Sequence, residues 1–317
     1  MAKPKKDPLE QELAKVRATR TVTELAPFLE HKSNHVVAAA AEAIGELEAS
    51  ELETNLSAAF ARLMKNPASS DPGCKALIAI AAALATMGAH ASEAYLAGIQ
   101  HVQKEGSYGP PVDVAAELRG LCARGLVRMS HPDALLYTVA VLSDKETPAR
   151  VGAARALGDS GSPAAELILR LKVLQGDTTE TMAECFSALL SIEPRRSIDF
   201  VGSYLHGRSD ELIESAALAL GESRLAAAFT PLKGAYEGHV RRPLRKTFLL
   251  AMAMLRQDAA IEFILTCLEQ EPENPAIDAL AALSLYRADM AVMQRAREIV
   301  ERSESALLKR LCAETLG

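Results

Sequence analysis

The chain has 317 residues, enough for two ordinary domains or one undivided repeat array, and with 49% apolar residues it can bury a continuous core. Aromatic residues are only 4% and tryptophan is absent, so that core is built from Ala, Leu, Ile and Val, which suits close helix packing and disfavours a sheet. A formal charge of −6 excludes a general attraction to phosphate backbones, and five widely spaced cysteines with no Cys-x-x-Cys pair indicate buried thiols in a reducing compartment, not a metal or redox site.

Residues 1–8 are Lys-rich, but no apolar stretch follows, so they are no secretory signal; residues 1–19 read as a basic tail and lead-in helix. The most apolar run, 76–87, is twelve residues long, too short to cross a bilayer, and reads as a buried helix. The expectation is a cytoplasmic protein with no membrane contact.

From residue 20 onward one hexapeptide recurs. Ala40-Ala41-Glu42-Ala43-Ile44-Gly45, Ala153-Ala154-Arg155-Ala156-Leu157-Gly158 and Ala216-Ala217-Leu218-Ala219-Leu220-Gly221 share the pattern Ala-Ala-x-Ala-[Ile/Leu]-Gly, and Cys312-Ala313-Glu314-Thr315-Leu316-Gly317 is a variant of it. Taking the last position as a marker (Gly45, Gly88, Gly125, Gly158, Leu190, Gly221, Ala253, Ser284, Gly317), the steps are 43 and 37 residues and then 31 to 33. Such a period marks a solenoid of supersecondary units. Each unit holds two helices. Helix A carries apolar residues at helical spacing, as in Ala165-Leu167-Ile168-Leu171 or Ile261-Ile264-Leu265-Leu268. Helix B ends on the hexapeptide, and its Gly is expected to stop the helix in a left-handed conformation. Ser33-Asn34, Glu146-Thr147-Pro148, Ser209-Asp210 and Asn274-Pro275 supply the starts of helix B.

The first two steps are longer because Pro/Gly/Ser-rich insertions, 66–73 and 106–111, separate helices A and B. Equivalent turns project from one edge of a solenoid, so the two insertions are expected to be neighbours, forming a lip with Tyr108 as an aromatic anchor.

The junction Leu157-Gly158-Asp159-Ser160-Gly161-Ser162-Pro163-Ala164, followed by Leu167-Ile168-Leu169, together with the hexapeptide, resembles the HEAT-like repeat family, in the short-repeat branch of bilin lyase-type proteins. The resemblance spans about residues 20–317 and implies an all-α fold, a right-handed α-α superhelix of about nine helix-hairpin repeats forming one solenoid over 20–317. The family usually places an Arg early in helix B that stacks from unit to unit. Arg150 and Arg245 match it, whereas Val37 and Ile213 stand in its place elsewhere, so a polar ladder is expected to be broken.

Several motifs suggest chemistry. Gly158-Asp159-Ser160-Gly161 mimics a serine-protease nucleophile segment, but nothing nearby supplies the β-barrel scaffold or oxyanion hole. His31 and His35 are four apart, yet Ser33-Asn34 breaks the helix between them. No His precedes a Glu, which the iron site of HEAT-like deoxyhypusine hydroxylases requires. His239, Arg241, Arg242, Arg245 and Lys246 form the densest basic cluster, but Glu180, Glu184, Glu211 and Glu214 in neighbouring units repel phosphate, so nucleic acid is disfavoured as a partner.

In HEAT-like arrays the B helices line the concave face, and registering on the hexapeptide turns positions three, seven and ten before the marker outward there. They include His35, Glu42, Arg155, Glu180, Ser187, Glu211, Glu214, Pro243 and Lys246, a surface of mixed sign suited to a protein or peptide ligand. The sequence thus predicts an interaction scaffold that is not an enzyme and holds no cofactor or metal. It binds a protein or peptide through Arg155, Glu180, Glu211, Glu214, Arg241, Arg242, Arg245 and Lys246, or through the inserted edge with Tyr108. The alternatives are bilin handling, implied by the resemblance, and nucleic-acid binding through 239–246. Self-association through the C-terminal repeat, which lacks a polar cap helix, is a further expectation.

Overall fold

The computed structural model describes residues 8–19, 21–106 and 109–316. The contacts divide the chain into two compact units, residues 1–168 and 169–317. The first unit holds α1 (Pro8–Ala18), α2 (Val22–Leu25) with a 3-10 turn (Ala26–Glu30), α3 (Asn34–Glu46), α4 (Glu53–Leu63), α5 (Pro67–Ser70), α6 (Lys75–Thr86), α7 (Ser92–Gly98), α8 (Ala116–Arg128), α9 (Ala134–Leu142) and α10 (Thr147–Ser160). Helix α11 (Pro163–Gln175) runs through the division. The second unit continues with α12 (Thr179–Ile192), α13 (Pro194–Gly202), α14 (Asp210–Glu222), α15 (Phe229–Gly238), α16 (Arg242–Leu255), α17 (Asp258–Gln270), α18 (Glu273–Leu283), α19 (Met290–Arg302) and α20 (Ala306–Leu316).

Both units are stacks of helical hairpins, so the fold is all-α. In the first unit the B helices α3, α6, α8 and α10 pack side by side, with α4, α7 and α9 as A partners. In the second, α12, α14, α16, α18 and α20 form the B layer, and α13, α15, α17 and α19 are A helices. Between the layers sits an Ala/Leu core, for example Val37, Ala40, Ala41 and Ile44 of α3 and Ile213, Ala216, Ala217 and Leu220 of α14, all fully buried. The strands among the described residues are two residues each: β1 (Lys104–Glu105) pairs antiparallel with β2 (Val112–Asp113) as a small β-hairpin on either side of the second insertion.

The hexapeptide glycines have a different role from the expected one. Gly45 and Gly221 lie inside α3 and α14, and the left-handed residue follows three positions later: Glu48 (φ 49°) and Arg224 (φ 55°), as at Gly161 (φ 57°) after Gly158 and Arg256 (φ 54°) after Ala253. Where that residue closes the helix, the next amide reaches back five residues, Ala49 N–H to Ile44 O at 3.1 Å, Ala89 to Leu84 at 2.9 Å and His131 to Leu126 at 2.9 Å. Gly is needed inside the helix because the neighbouring B helix comes too close for a Cβ. One built on Gly221 would lie 2.5 Å from Ala251 O, and one on Gly152 2.5 Å from Gly120 Cα.

This moves two markers. Gly88 (φ 65°) is itself the left-handed residue, so the second hexapeptide ends at Ala85, and Ser130 (φ 57°) puts the third end at Val127. The B helices of the first unit begin at residues 34, 75, 116 and 147, giving two repeats of equal length before the short period sets in. In α11 the buried stripe is Ala165, Leu169 and Val173, whereas Leu167 and Leu171, read as core from the sequence, are 70% and 57% exposed. Ile261, Ile264, Leu265 and Leu268 of α17 are buried as expected.

The corrected register restores a ladder residue. Arg119 occupies in α8 the place Arg150 holds in α10, and it anchors a polar network along the A-to-B turns of the first unit. Its guanidinium meets Asp113 at 2.8 Å and Asp144 at 2.7 Å and donates to His101 O at 2.8 Å. Arg150 donates to the carbonyl of Asp144 at 2.9 Å. Asp113 accepts from Gln103 N at 3.1 Å, and Gln103 Nε2 donates to Asp71 O at 2.9 Å and Glu105 Oε1 at 2.6 Å. Glu105 accepts from Gly73 N at 3.0 Å, so hairpin and first insertion are latched together as neighbours. The Asp71 carboxylate caps α6 through Ala76 N (3.0 Å) and Leu77 N (2.8 Å) and accepts from Asn34 Nδ2 at 2.8 Å. The ladder expected to be broken is thus continuous here, built from Asn, Asp, Gln and Glu as well as Arg.

Gly221→Ala should cost on the order of 1–3 kcal/mol through overpacking. Arg224→Gly should be neutral or stabilising by up to about 1 kcal/mol, because it relieves a left-handed side chain; denaturant melts of both variants separate close approach from helix stopping. Arg119→Met should cost about 3–5 kcal/mol, because it strands buried carboxylates. Burial alone would raise the Asp144 carboxyl, but the Arg119 hydrogen bond, the Glu146 N–H and the charges of Arg119 and Arg150 outweigh it and hold it below the usual aspartate range. Its contribution is therefore complete above about pH 4 and lost as pH falls through the lower folded-state value. Melts between pH 7 and 2 should show an acid loss of stability that is smaller in Arg119→Met.

Candidate functional site

A groove of about 700 Å³ lies on the outer side of the first unit between α4 and α7. It runs along both helices, from Glu53 and His90 where they begin to Met64, Lys65 and Ala97 near their ends; α4 has 11 residues and α7 only 7. Gly98, where α7 ends, is sunk against the core: a Cβ there would meet Cys122 Sγ at 2.5 Å and Phe60 Cζ at 3.1 Å. His90 N–H donates to Glu53 Oε1 at 3.0 Å, which sets the starts of α4 and α7 side by side. Phe60, Ala61, Met64, Ala94 and Ala97 supply apolar lining. Glu53 and Glu93 stand at the end where the helices begin, and Lys65 at the other, directly before the first insertion. A volume in this range, apolar between charged ends, is typical of a binding cleft.

The B-helix residues named from sequence fall in both units. In the first, His35, Glu42 and Arg155 are exposed; Tyr108 and Gly317 lie outside the described residues. In the second, Glu180, Glu211, Pro243 and Lys246 are exposed, and Ser187 and Glu214 are half-buried. Glu211 accepts from Thr179 Oγ1 at 3.1 Å and Glu214 from Thr247 Oγ1 at 3.5 Å.

The three arginines of the basic cluster tie neighbouring repeats together. Arg241 pairs with Asp210 at 2.5 Å, Arg242 grips both carboxylate oxygens of Asp278 at 2.8 and 3.1 Å, and Arg245 meets Glu271 at 2.8 Å while its guanidinium stacks 4.1 Å above the Tyr236 ring. Sequence proximity gathered the cations; their partners come from neighbouring hairpins some thirty residues away, which no local pattern announces. A hollow of about 440 Å³ near the end of the second unit has acidic walls, but Glu269 pairs with Arg302 at 3.7 Å and Glu273 accepts from Ser305 Oγ at 2.5 Å.

Among the remaining motifs, Ser160 Oγ donates to Leu157 O at 2.6 Å and accepts from Ser162 N at 3.2 Å, as a helix-end residue does. His31 Nδ1 accepts from Ser33 N at 3.0 Å. All five cysteines are buried, and burial pushes the Cys74 and Cys185 thiols up to about 12, so they resist becoming thiolates. Among the described residues no group of three or more His, Cys, Asp or Glu side chains could hold a metal ion, and no helix is long and apolar enough to cross a membrane.

No protein-family model matches this chain, and no curated protein matches it. Solved structures do. The chain is similar to the complex of CpcE and CpcF of phycocyanin lyase from Nostoc sp. PCC7120, at 15% identity over 98% of each chain with a TM-score of 0.40. It is similar to an engineered protein at 16% identity, over 99% of this chain and 96% of that one, with a TM-score of 0.38. Human deoxyhypusine hydroxylase in complex with glycerol matches at 15% identity, over 90% and 92%, with a TM-score of 0.29. The expectation that the chain is not an enzyme does not stand: a lyase and a hydroxylase are named among the similar structures, and a fold by itself excludes no activity.

Proposed function

We propose that this chain binds a segment of another protein on its first unit, in the groove between α4 and α7 beside the inserted edge. The observation that carries this reading is the groove itself: about 700 Å³, with Phe60, Ala61, Met64, Ala94 and Ala97 as its apolar part, Thr54, Ser57 and Ser92 beside them, and charges of opposite sign at its two ends. Such a surface rewards burial of apolar side chains and uses charge to choose and orient the ligand. The latched insertions beside it lend rigidity, since Asp71, Gln103 and Glu105 tie loop, hairpin and α6 together. Rigid walls lower the ordering cost of association.

Support for the second unit's basic cluster as a phosphate site is weaker. Arg241, Arg242 and Arg245 each already hold a carboxylate, and a nucleic acid would have to displace Asp210, Asp278 and Glu271. The exposed Glu180 and Glu211 add repulsion.

Ala97 is exposed on α7 and lines the groove, so Ala97→Arg should fill it without disturbing the core. Affinity capture from the source cells should retain a protein on the wild-type chain at least tenfold better than on Ala97→Arg, with cross-links mapping to Lys65. Equal retention by both would count against the groove as the binding surface.

A further inference from the structure

Resting on the reading of the α4–α7 groove as a protein-binding site, we infer that its occupant is an amphipathic α-helix of the partner, about three turns long. It lies antiparallel to α4, acidic in its first turn and basic in its last. Three features of the groove lead there.

The first is the backbone. Both walls are mainly helices, whose mid-helix N–H and C=O groups bond within the helix, so the middle of the groove offers side chains and no strand edge. An extended segment would find no strand edge to pair with and would leave its own backbone groups unpaired over an apolar floor. A helix brings its hydrogen bonds with it.

The second is length and relief. The 11 residues of α4 span about 16 Å at 1.5 Å per residue, which matches roughly three turns. Ala61, Ala94 and Ala97 keep the walls low enough for close helix approach, and Met64, half-buried and unbranched, adapts to what packs on it. An apolar stripe at i, i+4 and i+7 would cover this strip.

The third is polarity. Glu53 and Glu93 sit where α4 begins, and Lys65 lies just past its end. A guest helix antiparallel to α4 places its own C-terminus, with its partial negative charge, beside the partial positive N-terminus of α4. Basic residues in its last turn then meet Glu53 and Glu93, and acidic residues in its first turn meet Lys65. A parallel guest with favourable end charges of its own would set like charges together at both ends.

A phage-displayed library of 14-residue peptides, panned against the full-length chain, tests this. Enriched peptides should carry apolar residues at i, i+4 and i+7, Asp or Glu in the first turn and Lys or Arg in the last. They should bind Ala97→Arg at least tenfold more weakly, and Lys65→Glu should select basic first-turn residues instead. Circular dichroism melts of both variants confirm that each is folded. Groove-dependent peptides lacking the helical spacing or the charge order would overturn the inference while leaving the groove as a binding site. Peptides indifferent to Ala97→Arg, or no enrichment at all, would overturn both.

Discussion

Where Gly120 faces Gly152, a methyl added to Gly152 would sit 2.5 Å from Gly120 Cα, so α8 and α10 meet without a side chain between them. Gly221 against Ala251 and Gly45 against Ala83 repeat the arrangement along the B layers of the two units. Contact this close fixes how each hairpin sits on the next, because a shift of one residue would bring a larger side chain into the gap. Dispersion between well-fitted helix surfaces then stabilises each stack without aromatic bulk, as a chain with 4% aromatic residues requires.

That spacing determines what happens outside the B layer. Once B helices are set at a fixed separation, insertions in the A-to-B turns cannot spread along the array and must pack against each other. In the first unit they do so through charge and hydrogen bonding, with Arg119 held between Asp113 and Asp144 and Glu105 on the amide of Gly73. A buried network of this kind is stabilising only when every member is satisfied, and it locks one arrangement of the loops. The A helices adjust instead. α7 ends where Gly98 sinks against Phe60 and Cys122, and the groove runs between it and α4.

The period of the hexapeptide and the starts of helix B were legible because they are local: small residues where helices touch, polar or Pro residues where helices begin. Two positions were misread for a physical reason. Glycine serves close approach at Gly45 and Gly221 but backbone conformation at Gly88 and Gly161, and one letter cannot distinguish these roles. Gly125 is not the third counterpart of Gly45: left-handed Ser130 puts that end at Val127, which makes Arg119 the counterpart of Arg150. The residues left-handed at Glu48, Ser130, Arg224 and Arg256 give no glycine signal at all. The groove could not be read from sequence because it forms between two helices some forty residues apart. The pairing of Arg241, Arg242 and Arg245 was equally hidden, since their carboxylates come from adjacent repeats.

Amide hydrogen exchange of Gly152→Ala beside the wild-type chain examines the helix contact most directly. If α8 and α10 are joined backbone to backbone, the added methyl must disturb both, and protection should fall in residues 116–128 and 147–160 together while α3 is spared. Faster exchange confined to α10, or none at all, would contradict glycine-to-glycine contact as the fixed point of the fold.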